Sequence, residues 1–271
     1  MKRSMIFVKS HKSMNNIGYR LLLALLLTSC AKDGGMAESS TTDRSDGKGG
    51  SMARFAIQGD MLYTVSANSM QIFAIEEAAN PTNKGNLYVG FDIETVFPMD
   101  TLLFIGSRSG MFVYDITEQQ FPKLLSQVQH IRSCDPVVAQ GNYAYVTLNT
   151  NFSACGASMN NVLNIYDITN VSAPELKHTV SMTGPTGLGI DGDRLFVCDK
   201  GLKVFDLSDP VFIRQIDDFT HIDDVNIRET YDVIPVNGLL FLIAKEGLFQ
   251  FDYAGDRIKF LSKILINPNI P

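Results

Sequence analysis

The 271-residue chain is 45% hydrophobic, has no tryptophan, and carries 29 acidic against 23 basic residues, a formal net charge of −6. That balance lacks the dense basic footprint that nucleic-acid binding requires, so no nucleic acid is expected as a partner. The length beyond the first fifty residues suffices for one all-β domain with a real core.

The chain opens with an acid-free basic segment (Lys2, Arg3, Lys9, Lys12, Arg20) that leads into Leu21-Leu22-Leu23-Ala24-Leu25-Leu26-Leu27. Seven apolar residues cannot cross a bilayer that needs about 20, and a short apolar run behind positive charge reads as a secretory signal. Met14 is a plausible alternative start, because Met14 to Cys30 alone has the proportions of a signal. Leu27-Thr28-Ser29-Cys30 resembles the bacterial lipobox, and the resemblance implies lipidation at Cys30 and cleavage of residues 1–29 as a lipoprotein signal peptide. The mature chain then has 18 basic and 29 acidic residues, a net charge of −11. Residues 30–52, rich in Gly, Ser, Thr, Asp and Lys without apolar periodicity, read as a flexible tether. The expected partner of this segment is a membrane, reached through the lipid anchor; an outer-membrane address is expected, and the periplasmic or surface-facing side stays open.

Residues 53–271 repeat with a period of about forty. Tyr63, Phe104, Tyr145, Phe196 and Phe241 each stand in a short apolar run just after a Gly-Asp, Asp-Thr, Gly-Asn, Gly-Asp or Asn-Gly turn. The longest interval is explained by an extra stretch around Asn149 to Asn160. Repeats of this length with several short strands apiece read as propeller blades, so the expected fold is all-β: a five-bladed β-propeller of four antiparallel strands per blade. The second blade is the clearest, with strands at 95–98 (a), 102–105 (b), 111–116 (c) and 123–128 (d). Strand c recurs around Ile72, Ile165, Val204 and Gln250, and Pro81, Pro122 and Pro174 favour the turn into an outer strand, where a missing N–H costs least. Five units leave no spare strand, so ring closure is expected from the first blade packing on the fifth.

Asp115, Asp167, Asp206 and Asp252 lie at the ends of their strands and are read as turn acceptors, not metal ligands. The five strand-b aromatics are read as packing between blades. Gly201-Leu202-Lys203-Val204-Phe205-Asp206-Leu207-Ser208-Asp209-Pro210 and Asn142-Tyr143-Ala144-Tyr145-Val146 resemble the LVIVD repeat, a bacterial propeller repeat common in envelope proteins. The segment from Cys134 to Gly156 is similar to lipoproteins of Bacteroidetes whose function is generally unassigned. Residues 185–197 are similar to the inner half of an NHL-type blade, which implies that strand a is innermost and lines the channel. The pattern departs at Ala74 and Ser69 in the first blade and at Val162 in the third.

Besides the lipidated Cys30, three cysteines remain after processing. The b–c insertion of the third blade should emerge beside the start of its own strand a, so Cys134 and Cys155 are expected to form a disulfide worth roughly 3 kcal/mol for a 20-residue loop. Cys198 is expected to be a buried free thiol. Strand-a starts should converge at one channel mouth, which makes Arg54, Glu94, Asp135, Thr186, Tyr231 and Asp232 the candidate ligand-binding residues. Three carboxylates, Glu94, Asp135 and Asp232, could hold calcium, although Arg54 could instead neutralise them around a water-filled funnel; no other cofactor is expected. His130, Arg132, His221, Asp223 and Asp224 fall in connections on the same face. With no G-x-S-x-G, H-E-x-x-H or C-x-x-C motif, the leading expectation is a non-catalytic envelope module that binds a protein, glycan or small ligand. The alternative is a propeller hydrolase or lyase using mouth carboxylates.

Overall fold

The computed structural model describes residues 49–129, 136–150, 161–222, 225–227, 229–255 and 257–266. They form five four-stranded antiparallel sheets in chain order. Blade one comprises β1 (Phe55–Gln58), β2 (Met61–Val65), β3 (Ser69–Ala74) and β4 (Thr82–Tyr88), and blade two β5 (Ile93–Met99), β6 (Leu102–Ser107), β7 (Gly110–Asp115) and β8 (Lys123–Gln129). Blade three comprises β9 (Val137–Gln140), β10 (Tyr143–Leu148), β11 (Val162–Asp167) and β12 (Glu175–Ser181), and blade four β13 (Pro185–Asp191), β14 (Arg194–Asp199), β15 (Leu202–Asp206) and β16 (Arg214–Phe219). A short hairpin, β17 (His221–Ile222) with β18 (Val225–Asn226), precedes blade five: β19 (Thr230–Val236), β20 (Leu239–Ala244), β21 (Gly247–Asp252) and β22 (Lys259–Leu265). No described helix is long and apolar enough to cross a membrane.

Local chemistry repeats from blade to blade. The first residue of every a–b turn has a left-handed backbone: Gly59, Asp100, Gly141, Gly192 and Asn237, with φ between 51° and 57°. Gly pays no steric penalty there, and Asp and Asn are among the few others that tolerate it. Every c–d pair carries a bulge at one place, from Ile72/Phe73 in blade one to Gln250/Phe251 in blade five. The strand-ending aspartates are turn acceptors: Asp115 Oδ1 accepts the Thr117 N–H at 2.7 Å, and Asp167, Asp206 and Asp252 accept those of Thr169, Ser208 and Ala254, each at 2.9 Å. The Ser208 hydroxyl and N–H, then Arg214, hold Asp206 down at about 2.

The cores lie between blades. One buried cluster joins blades one and two around Tyr63, a second joins two and three around Phe104, a third three and four around Tyr145, and a fourth four and five around Phe196. These four aromatics are at most 1% exposed, and their tips are used where they are polar. Tyr63 donates its hydroxyl to the Gln119 carbonyl (2.8 Å) and Tyr145 to that of Pro210 (3.1 Å), each reaching into the following blade. Cys198 is a fully buried free thiol; Cys30, Cys134 and Cys155 lie outside the described residues.

The fifth aromatic departs from the pattern. Phe241 is only half-buried and belongs to no core cluster, and among the described residues no buried cluster joins blade five to blade one. The strands agree: β6, β10 and β14 are buried at every position after the first, whereas β2 and β20 bury alternate residues only. The expected closure of blade one onto blade five is therefore corrected. The five blades form an arc whose two end faces are each covered on one side.

Blades four and five approach most closely at two glycines. A Cβ on Gly189 would lie 2.5 Å from Pro235 Cδ and 2.9 Å from the Val233 carbonyl, and one on Gly187 would meet Asp232 and the Tyr231 carbonyl. Neither a proline ring nor backbone can yield cheaply. Gly189→Ala is expected to cost about 1–3 kcal/mol, measured by denaturant unfolding, whereas Gly85→Ala, whose Cβ would meet only Ile72 Cδ1 at 4.0 Å, should stay within about 0.5 kcal/mol of wild type.

Candidate functional site

The first strands β1, β5, β9, β13 and β19 line the centre of the arc, and in three of them the ladder is broken near its start. In blade two Ile93 opposes Ser107 and Thr95 opposes Gly106, so Glu94 has no opposite residue. In blade five Thr230 opposes Ala244 and Asp232 opposes Ile243, which leaves Tyr231 as the extra residue. In blade four the register skips from Pro185 to Leu188, so Thr186 and Gly187 fall in the irregularity. An extra residue in a strand re-aims its side chain out of the regular alternation. Here Glu94, Thr186 and Tyr231, brought in from three blades, line one cavity of about 270 Å³ together with Arg54 and Met52.

The wall of this cavity is held by hydrogen bonds between blades. Thr147 Oγ1 donates to the Thr186 carbonyl and Thr186 Oγ1 to that of Thr230, both at 2.8 Å, and Asn149 Nδ2 donates to the Pro185 carbonyl at 2.7 Å. Glu94 Oε1 accepts from Arg108 Nε at 2.9 Å, an ion pair set on the b–c turn of its own blade. Arg54 is exposed, and Tyr231 presents 47% of its surface. The mouth therefore offers a guanidinium, an oriented carboxylate and an open aromatic ring on a braced frame.

Asp135 lies outside the described residues, although its neighbour Pro136 reaches the cavity. Asp232 is turned away from the mouth into the protein, at 8% exposure. The residue before it, Tyr231, takes the place at the rim, because the bulge shifts the alternation by one. Asp232 Oδ1 accepts the Val233 N–H (2.9 Å) and the Ser51 hydroxyl (3.2 Å), and Oδ2 accepts the Met52 N–H (3.3 Å). Ser51 Oγ in turn accepts the Leu188 N–H at 2.7 Å. Among the described residues no group of three or more His, Cys, Asp or Glu could hold a metal ion.

These bonds fix a segment that composition assigns to the tether. Gly49, Gly50, Ser51 and Met52 run along the inner strands, so close that a Cβ on Gly50 would fall 1.9 Å from Asp232 Oδ2. Met52 lines the mouth, while Gly49 and Ser51 line a second, mainly apolar cavity of about 180 Å³ with Phe97, Val138, Leu188 and Val233. The segment thus separates the two spaces. Neither the bulges nor Ser51 stood out in the sequence, since both depend on which residues oppose each other across strands; the Gly49-Gly50 pair was the available sign of close backbone approach.

Burial pushes the Asp232 carboxyl up to about 6, against the lowering effect of the N–H groups and Ser51. Its neighbour, the Cys198 thiol, is raised by burial and then by the Asp232 charge. A carboxyl raised in the native state binds a proton that the unfolded chain has released, so its contribution is favourable at low pH and is lost as pH rises from about 4 through about 6. Asp232→Asn should therefore gain up to about 3 kcal/mol on wild type between pH 4 and pH 7. Paired unfolding curves at the two pH values measure this; an unchanged difference would show that Asp232 titrates normally.

Residues 131–182, which include all of blade three, match the LVIVD repeat. No curated protein matches the chain significantly in sequence. Among solved structures, it is similar to a protein of unknown function from Desulfotomaculum acetoxidans, with TM-score 0.62 and 10% identity over 79% of this chain and 71% of that one. It is also similar to a protein from Lactobacillus plantarum (TM-score 0.57, 13% identity, 77% and 69%) and to the periplasmic gluconolactonase of Pseudomonas aeruginosa (TM-score 0.55, 14% identity, 79% and 68%). At such identities the likeness is one of fold. The chain is a five-bladed β-propeller that carries an LVIVD repeat in its third blade.

Proposed function

We propose that the mouth is a non-catalytic binding site for a small polar ligand, carried by a propeller that a lipid on Cys30 anchors in the cell envelope. The observation that carries this reading is the convergence of bulge residues: three inner strands break their ladders so that Glu94, Thr186 and Tyr231 face one cavity. Such breaks cost regular pairing, and their recurrence around one space is what a site requires. A volume of about 270 Å³ is at the small end for ligand pockets and suits one sugar-sized molecule better than a long chain. Tyr231 offers a ring face for stacking, Arg54 an anion partner, and Glu94, oriented by Arg108, an acceptor for hydroxyls.

The hydrolase or lyase reading has less support. It needs carboxylates disposed as an acid and a base around bound substrate, whereas Asp232 is engaged with Ser51 and Met52 and Glu94 with Arg108. The name of the Pseudomonas neighbour belongs to that protein; at 14% identity it does not carry a reaction over to this chain.

Titration calorimetry with neutral and carboxylated monosaccharides and short glycans tests the site. Binding should fall tenfold or more in Arg54→Ala and in Tyr231→Ala, with both variants folded; ligand binding unaffected by both changes would place the site elsewhere. Turnover of a bound sugar, or melting that shifts with calcium and reverses with chelator, would favour the catalytic alternative. The anchor is tested separately by Cys30→Ser. That variant should be soluble in the periplasm or retain its signal, and one still processed and membrane-bound would remove Cys30 from the proposal.

A further inference from the structure

Beyond the segment Gly49–Met52, on the side away from the mouth, the centre of the arc holds the second cavity, of about 180 Å³. All five blades contribute to it, and its character changes along its length. The middle is apolar: Val138, Leu188 and Val233 are buried, and Phe97, Pro98 and Pro235 add rigid rings. The end nearest the mouth is closed by Ser51, which is 1% exposed. Its hydroxyl donates to Asp232 Oδ1, and its oxygen accepts the Leu188 N–H. The other end lies at the a–b turns, where Gln58 is half-buried and Asp100 is exposed.

We infer that this cavity is a second binding site, for a small aromatic molecule of one ring or a fused pair that carries a hydrogen-bond donor at its outer end. Water needs about two to four polar partners to be held well in such a space, and the middle of the cavity presents mainly hydrocarbon. Water so placed is displaced with a gain in affinity by an apolar group. Flat aromatic faces make full contact with a wall built of proline and phenylalanine rings. Size sets the limit. A cavity of about 150 Å³ lined by Leu, Ile and Phe takes up benzene, so the space here fits one ring with a few more atoms. At the open end the Asp100 carboxylate and the Gln58 amide oxygen are acceptors. An indole N–H or a phenolic hydroxyl on the outer edge of the ligand would meet them.

Two other occupants fit less well. A sugar needs partners for hydroxyls on every side, whereas the polar side chains of this wall stand only at its two ends and Ser51 is already engaged. A lipid chain would have to pass the Gly49–Met52 segment, which is bonded to blades four and five, to find more length. The site is therefore distinct from the mouth and does not depend on what binds there.

Indole is the probe, titrated into protein with isotope-labelled Ile, Leu and Val methyls. Resonances of Val138, Leu188, Ile190 and Val233 should shift saturably at millimolar indole or below, while those of Ile105 and Val113, buried between other blades, stay in place. Glucose should leave all of them unmoved. Val138→Phe puts a ring into the space and should weaken indole at least tenfold. Since Val138 belongs to a core cluster, a second variant avoids the risk of misfolding. Asp100→Gly keeps the left-handed backbone of that position (φ 51°) and removes the acceptor. It should weaken indole severalfold and leave N-methylindole, which has no donor, unchanged. Absence of saturable shifts at the four methyls, an equal response to glucose, or full indole affinity in a folded Val138→Phe would overturn the inference. Arg54→Ala should not alter these shifts, so that failure of the mouth and failure of this site are seen separately.

Discussion

Burial between blades is the interaction on which everything else in this protein rests. A single four-stranded sheet of this length has no interior, and each blade becomes stable only when both faces of its middle strands are removed from water by neighbours. Tyr63, Phe104, Tyr145 and Phe196 mark the four places where that happens. Since about 25 cal/mol is gained per Å² of apolar surface buried, the interior blades gain from two such contacts and the end blades from one. Stability should therefore grade outward from blade three, as in other arrays whose units contact only their neighbours. The inner strands are free to break their ladders for the mouth because strands two and three supply the packing.

The repeat was legible because its signals are local. Turns such as Gly192-Asp193 and Asn237-Gly238 carry their backbone requirement in the residue type, and Asp115, Asp167 and Asp206 carry a turn-capping preference that needs no partner from elsewhere in the chain. From these the four strands of each blade followed, while the innermost place of strand a came from the likeness of residues 185–197 to an NHL-type blade. Four of the candidate residues, Arg54, Glu94, Thr186 and Tyr231, line one cavity: similar positions in equal units bring them to the same end of the inner strands, and the bulges then turn three of them inward.

What could not be read was non-local. Asp232 was expected at the channel mouth with Arg54 and Glu94, but a bulge is a mismatch between two strands, and one strand's sequence does not show it. Arg108, which orients Glu94, lies in a turn whose direction depends on the same mismatch. Ring closure is non-local in the same way. Counting blades gives their number, whereas closure depends on the angle between them, and that angle is set by the shapes of four buried clusters. A hint was present at Gln250, which holds the place taken by Val113, Ile165 and Val204 in the interior blades, but it becomes meaningful only once equivalent positions are superposed.

The segment Gly49–Met52 has a mechanical consequence. Ser51 is bonded to blade five through Asp232 and to blade four through Leu188, while the carbonyl of Ala53, two residues on, accepts the Val96 N–H of blade two at 2.9 Å. Four residues therefore act as a spoke across an arc whose rim is incomplete. A pull on the chain ahead of Gly49 is met first inside the arc, by blades four and five, and reaches β1 only after those bonds give way. Tension would load the far end of the arc before the near one, drawing blades two and five toward a common centre instead of peeling the first strand from its sheet.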